Sequence, residues 1–209
     1  PLSGATRQDV PLAQLTPAHL PAERVHAHSG CIWAFRFRGL WHPEDRKPQF
    51  AVDDYFVQSY ISNGGQGAAG GHDGRSALSM PDNCGNVPIE VFEHKLPVMW
   101  LRKELAADSG GPGAARGGLG QTMVLKVLGH GEVSFATGTG DKVVNPAPGL
   151  HDGHHGANAL VNVNDQPTFA RRWVDVRLGD VVHLQSPGGG GFGEPRQRPP
   201  ALVETDVRQ

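Results

Sequence analysis

The sequence predicts a β-rich α+β fold with long glycine-rich loops. Short runs of β-branched and aromatic residues recur along the chain, and few stretches show helical periodicity. The 209 residues include 29 glycines and 17 prolines, and glycine is at about twice its usual frequency of roughly 7%. Because most of this glycine is concentrated in three clusters between the runs, it indicates a folded domain with many obligatory turns, not a disordered chain.

The predicted strands are runs rich in β-formers and bounded by turn residues. They are Cys31–Phe37, Phe50–Ile61, Val98–Leu105, Thr122–Leu128, Glu132–Thr137, Leu160–Asn164, Trp173–Leu178 and Val181–Gln185. Leu178, Gly179 and Asp180 are predicted to form a tight turn between the last two strands. Helix-like pieces are short, such as Ala13–Leu20. The predicted organisation is an N-terminal connecting segment (1–30), a β-rich domain (31–195) and a C-terminal tail (196–209).

Composition excludes several classes of partner. The formal net charge is -2 and basic residues are scattered, so no basic stripe for nucleic acid is present. No apolar run approaches the roughly 18 residues that span a bilayer, and no signal-peptide pattern opens the chain. Two cysteines, Cys31 and Cys84, favour free thiols in a reducing cytoplasm, although a single bridge between them stays open. The chain begins at Pro1 without a methionine, which suggests a processed, trimmed or cut chain.

Two of the glycine clusters admit either a structural or a ligand-binding interpretation. Ser186–Pro195 contains Gly188, Gly189, Gly190 and Gly191, whose N–H groups can converge on an anion or whose backbone can allow another chain to pass closely. It lacks the Lys-Ser/Thr ending of a phosphate-binding P-loop. In Asp108–Gly120, which contains Gly110 and Gly111, Asp108 and Ser109 can cap turns. Arg116 can bind a carboxylate or phosphate, or pin the loop through an internal ion pair.

Other candidates carry acid–base or metal-binding side chains. The third cluster, Asn63–Gly74, contains His72 and Asp73, which with Glu90 and Glu93 are possible acid/base groups or solvated loop residues. His151, Asp152, His154 and His155 can supply three metal ligands, but a flexible loop of solvated histidines is the simpler interpretation. Cys84 can be a nucleophile only with a histidine placed by the fold, so an inert thiol is the simpler assignment.

Four blocks in fixed order resemble the C-terminal region of the hydantoinase B/oxoprolinase family. They are Asn63–Gly74, Asn86–Glu93, Asp108–Gly120 and Ser186–Pro195. The resemblance runs from about residue 15 to the end and implies the C-terminal portion of a larger hydantoinase B-type subunit. It departs from the family around Gly140–Gly156, where Lys142 and Asp152-Gly153 replace an arginine and a double glycine.

The resemblance implies part of an ATP-dependent hydrolase of cyclic amides such as a hydantoin or 5-oxoproline. The implied partners are a hydantoinase A-type ATP-binding subunit and the missing N-terminal half of the B-type subunit, which carries the family's metal ligands. ATP and a divalent metal are therefore implied for the complex, and no metal ligand for this chain. The candidate catalytic residues are Asp108, Arg116, His72 and Asp73, and Gly110, Gly111 and Gly188–Gly191 are candidates for a substrate or interface loop. The alternatives are a ketone carboxylase subunit of the acetone carboxylase type and a non-catalytic assembly module or gene fragment. We expect the isolated chain to be inactive.

Overall fold

A computed structural model describes residues 24–30, 32–78, 85–138, 140–168 and 172–208. These residues form nine strands and two α-helices. The strands are β1 (Ile32–Leu40), β2 (Tyr55–Asn63), β3 (Val98–Leu105), β4 (Gln121–Val127), β5 (Val133–Thr137), β6 (Leu160–Val163), β7 (Gln166–Pro167), β8 (Val174–Val176) and β9 (Val181–Gln185). The helices are α1 (Ile89–Lys95) and α2 (Pro200–Arg208). None of the helices in the described ranges is long and apolar enough to cross a membrane.

The strands form two antiparallel sheets. One has the order β2-β1-β5-β8 and the other the order β3-β4-β9-β6-β7. Neighbours in each sheet are often distant in sequence, since β1 pairs with β5 and β4 pairs with β9. The β-rich α+β class is therefore confirmed, and long-range pairing dominates it.

Both sheets contribute side chains to one core. In β1, Trp33, Phe35 and Phe37 alternate with more exposed residues, which places all three on one face of the strand. The Phe35 ring lies 6.3 Å from that of Trp100 in β3, so aromatic contacts join the two sheets. Phe92 of α1 is buried against the same cluster, with its ring 5.8 Å from Phe35. The helix therefore contributes an aromatic side chain to the common core.

Tight turns follow the residue chemistry of their positions. Asn164 and Asp165 both have positive φ, 50° and 61°, as the type I′ turn of a two-residue hairpin requires, and they join β6 to β7. Gly179 has φ 91°, and the N–H of Asp180 donates to the carbonyl of Arg177 at 2.9 Å. The predicted Leu178–Asp180 turn is thus confirmed, but it connects β8 of one sheet to β9 of the other.

Most predicted strands are present, with shifted ends. Val98–Leu105 and Val181–Gln185 match to the residue, whereas the strand predicted over Phe50–Ile61 begins only at Tyr55. Its first residues belong to a loop closed by a hydrogen bond from Trp41 N–H to the Asp54 carbonyl. Helix α2 lies in the segment predicted as a tail. Ala13–Leu20 and both cysteines of the considered Cys31–Cys84 bridge lie outside the described residues.

Candidate functional site

The three glycine clusters pack against one another as one unit, with their backbones in direct contact. Hydrogen bonds connect them in series: Gly118 N–H donates to the Gln66 carbonyl at 2.8 Å, and Gly189 N–H donates to the Gly118 carbonyl at 2.9 Å. Gly190 N–H donates to the His28 carbonyl at 2.8 Å, which adds a fourth segment. We call this unit the glycine array, and it comprises residues 27–30, 64–75, 109–120, 147–156 and 186–193.

Close approach of backbones explains why these positions are glycine. A Cβ on Gly65 would lie 1.7 Å from the Gly118 carbonyl oxygen, and one on Gly188 would lie 1.7 Å from the Ser109 carbonyl oxygen. Within the array only Gly71 and Gly193 need a positive φ. The glycines therefore serve mainly to bring chains together, and not to turn them.

The candidate loop glycines lie inside this array. Gly110, Gly111 and Gly188–Gly191 are buried, and an added Cβ on any of them would meet backbone atoms within 2.4 Å. Their packing accounts for the residue type without a ligand. A contact of these glycines with substrate stays a prediction.

An ion-pair network joins the array to helix α2. The Arg198 guanidinium donates to both carboxylate oxygens of Asp73 at 2.8 Å. It also donates to both oxygens of Asp206, at 2.8 and 3.0 Å. Arg116 lies 3.1 Å from Asp206, and its backbone N–H donates to Asp73 at 2.7 Å. Of the two interpretations of Arg116, the structure shows the internal ion pair, and it brings Arg116 and Asp73 together.

The network keeps Asp73 ionised. Burial opposes the charged form, but hydrogen bonds from Arg198 and from the Arg116 N–H outweigh it and hold the pKa of Asp73 below its usual value. The pKa of Arg198 is raised, chiefly by its hydrogen bonds to Asp73. Two cations and two carboxylates thus hold α2 against the array.

We expect the Asp73→Asn variant to show a weaker dependence of stability on acid pH than the wild type. Because the pKa of Asp73 is lowered on folding, its contribution is fully present above the unfolded value of about 3.9 and is lost as pH falls through the folded value. Urea unfolding at pH 7 and at several acid pH values measures the slope. Asp108→Asn, at an exposed carboxylate, is the control, and equal slopes for all three proteins would refute the assignment.

The other predicted acid–base residues have different surroundings. Asp108 is exposed and has φ 55°, and beside it Ser109 Oγ donates to the Ala106 carbonyl at 2.7 Å, as expected for a turn. His72 is exposed, and its backbone pairs with that of Ala69 at 3.0 and 3.1 Å. Catalytic roles for Asp108 and His72 stay predictions.

The two glutamates of the Asn86–Glu93 block lie on helix α1. Glu93 accepts a hydrogen bond from the Trp100 N–H at 2.6 Å, which ties α1 to β3. Glu90 is exposed near Tyr60, whose pKa is raised to about 12 by burial and by the Glu90 charge. Lys103 donates to Tyr60 Oη at 2.7 Å, and burial lowers the pKa of Lys103. Neither sequence block nor spacing indicated this Tyr–Lys pair.

The histidine-rich segment forms a turn. His151 and Asp152 have φ 49° and 69°, and Gly153 N–H donates to the Leu150 carbonyl at 3.0 Å, which is a type I′ arrangement. The His151 ring packs 4.8 Å from that of Phe192. Among the described residues, no three His, Cys, Asp or Glu side chains are grouped so that they can hold a metal. Cys84 lies outside the described residues.

A second polar site lies in a cleft that the sequence did not indicate. Asp45 accepts hydrogen bonds from the Nδ1 and the backbone N–H of His130, at 2.8 and 3.0 Å. Both residues line a cleft of about 640 Å³ beside helix α1. Because 85 residues separate this pair, only the tertiary fold brings it together.

The fold and its array define a two-sheet domain built around interlocked glycine loops. The chain belongs to the Hydantoinase B/oxoprolinase family, whose model matches residues 6–195. It is 31% identical over 163 residues to a putative D-/L-hydantoinase of Pseudomonas sp., in its B-type chain (74% of this chain, 27% of the relative). It is 34% identical over 136 residues to the beta chain of the caprolactamase of Pseudomonas jessenii (57% of this chain, 22% of the relative). The chain thus spans about a quarter of the length of these relatives.

Solved structures show the same fold. The ATP-dependent caprolactamase from Pseudomonas jessenii aligns with a TM-score of 0.68 and 26% identity, covering 95% of this chain and 34% of that one. A nucleotide-free acetone carboxylase aligns with a TM-score of 0.64 and 19% identity, covering 90% of this chain and 29% of that one. At that identity the carboxylase likeness concerns the fold alone.

Proposed function

We propose that the chain is part of an ATP-dependent hydrolase of cyclic amides and acts with a hydantoinase A-type ATP-binding partner. The observation that carries the proposal is the match of residues 6–195 to the family, together with 31% and 34% identity to hydantoinase and caprolactamase subunits. The proposed substrate class is a lactam, hydantoin or 5-oxoproline ring. The activity belongs to the complex, because this chain spans only a quarter of those subunits.

The chemistry requires activation of a poor electrophile. Transfer of the γ-phosphoryl group of ATP to the amide oxygen makes that oxygen a leaving group. Water then adds to the carbon, phosphate leaves, and the ring C–N bond breaks to give a carboxylate and an amine. The described residues group no three possible metal ligands, and the glycine cluster at 186–195 lacks a P-loop ending, so we assign no metal or nucleotide step to this chain.

The contribution proposed for this chain is positioning. The array fixes the backbone around Arg116 through close glycine contacts, and Gly110 is packed against the Arg116 side chain at 3.5 Å for an added Cβ. The Asp206 carboxylate at 3.1 Å orients the guanidinium. A fixed guanidinium can stabilise negative charge on a carboxylate or phosphoryl oxygen at low reorganisation cost.

The other two interpretations have less support. A ketone carboxylase shares the activation by ATP, but the acetone carboxylase likeness is at 19% identity and concerns the fold alone. A non-catalytic assembly module is compatible with a chain that spans 22% to 27% of its relatives. We therefore keep the hydrolase complex as the leading proposal.

A reconstitution experiment tests it. The chain alone, the complete B-type subunit that contains it, and that subunit with its A-type partner are each incubated with ATP and with 5-oxoproline, hydantoin or caprolactam. We expect ADP and ring-opened product only from the reconstituted complex, and none without ATP. Turnover by the chain alone would refute the assembly interpretation and our expectation of inactivity. Consumption of bicarbonate and ketone in place of ring opening would favour the carboxylase.

A further inference from the structure

The cleft beside helix α1 has the size of a small-molecule site. Its volume of about 640 Å³ falls within the range of roughly 300–1,000 Å³ typical of ligand pockets. One wall is the loop that carries Glu44 and Asp45, and the opposite wall is α1, which carries Glu90 and Glu93. The cleft is lined by none of the glycine array, so it is a site separate from the Arg116 network.

Asp45 determines the protonation pattern of His130. The Asp45 side chain is only 1% exposed and accepts from His130 Nδ1, His130 N–H and the His42 N–H. Burial opposes ionisation of Asp45, but these hydrogen bonds keep its pKa below the usual value. Since an ionised carboxylate can only accept, His130 carries a proton on Nδ1. In the neutral imidazole, Nε2 is therefore a hydrogen-bond acceptor.

Nε2 of His130 faces a second acceptor. It lies 3.7 Å from a carboxylate oxygen of Glu44, which is too far for a direct hydrogen bond. Two acceptors at this spacing can be bridged by one group that offers several N–H donors. A primary ammonium has three such donors, and its positive charge also suits the nearby carboxylates of Glu90 and Glu93.

We propose that this cleft binds a small molecule carrying a primary ammonium group, held between Nε2 of His130 and the carboxylate of Glu44. Arg46 lines the same cleft and can take a carboxylate at the other end of the molecule, so amino acids with separated charges are included in the class. The ligand class follows from the cleft geometry and does not depend on the proposed reaction. The amine released when a cyclic amide opens is one member of the class.

Calorimetric titration of the 209-residue chain tests the proposal with three matched probes: hexylamine, 6-aminohexanoate and hexanoate. We expect the two amines to bind and hexanoate not to bind. Glu44→Gln and His130→Phe should each weaken amine binding by about tenfold or more, as for loss of a hydrogen bond to a charged group. The Glu44 side chain is 68% exposed, so its replacement should leave the fold intact.

Glu132→Gln is the matched control, because it makes the same change of charge two residues from His130. It should leave amine affinity unchanged. The ¹⁵N resonance of His130 Nε2 should also shift when hexylamine is added to the wild-type chain and stay in place with hexanoate. Equal binding of hexanoate, an unmoved Nε2 resonance, or equal loss in Glu132→Gln would overturn the proposal. None of these outcomes depends on ATP-dependent turnover, so failure here and failure of the proposed function can be told apart.

Discussion

Replacement of Gly188 by alanine is expected to destabilise the protein by about 3 kcal/mol or more, at or above the upper end for overpacked interiors. The added Cβ would lie 1.7 Å from the Ser109 carbonyl oxygen and 2.4 Å from its carbon. These neighbours are backbone atoms, so no rotamer change can relieve the clash. Urea unfolding of the variant and the wild type measures the difference.

Gly85→Ala is the matched control for this experiment. Gly85 is exposed, and a Cβ built on it meets nothing within 4 Å. Its substitution should change the free energy of unfolding little, or raise it by up to about 1 kcal/mol through loss of freedom in the unfolded chain. Similar stabilities for Gly188→Ala and Gly85→Ala would show that the array does not exist as described.

Arg116→Ala is expected to reduce ring-opening activity of the reconstituted complex by about 100-fold or more, the usual loss on removal of one preorganised donor. The Nε of Arg116 is buried and has no hydrogen-bond partner among the described residues, while its Nη1 is held by Asp206. The guanidinium is thus oriented but retains donor capacity. Steady-state ADP release and product formation measure the effect.

Asp206→Asn separates two roles of Arg116. It keeps the shape of the partner but removes its charge, so a guanidinium that only pins the loop should lose as much function from this change as from its own removal. A guanidinium that contacts substrate should retain most of its activity in Asp206→Asn and lose it in Arg116→Ala. Unchanged assembly and an unchanged rate in Arg116→Ala would exclude Arg116 from the site.

Local chemistry predicts the strands better than their partners. Val98–Leu105 and Val181–Gln185 are predicted to the residue because β-formers between turn residues decide the backbone state locally. The turn at Gly179 is also predicted, but it resembles a hairpin turn in sequence while joining two sheets. Pairing depends on which apolar faces meet across the core, and that is set by the whole chain.

The candidate site is predicted in part for the same reason. Motifs select Asp73 and Arg116, which the structure brings together. Arg198 and Asp206 are missed because they lie in a segment predicted as a tail, and 125 residues separate Arg198 from Asp73. The glycine clusters are recognisable, yet their close approach involves atoms of other loops, which no local pattern reveals.

The glycine array also constrains how this chain reaches its native state. Each of its runs is satisfied by carbonyls of other runs, so the hydrogen bonds from Gly118 to Gln66 and from Gly190 to His28 form only after distant segments have met. Closing such loops costs entropy before any contact repays it, and topologies of this kind fold slowly, in milliseconds to seconds. We therefore infer that the array is completed late, after the sheets have formed a surface on which to assemble it. A newly made chain would meanwhile expose unpaired glycine backbone, and its partner subunits would have to wait for that step.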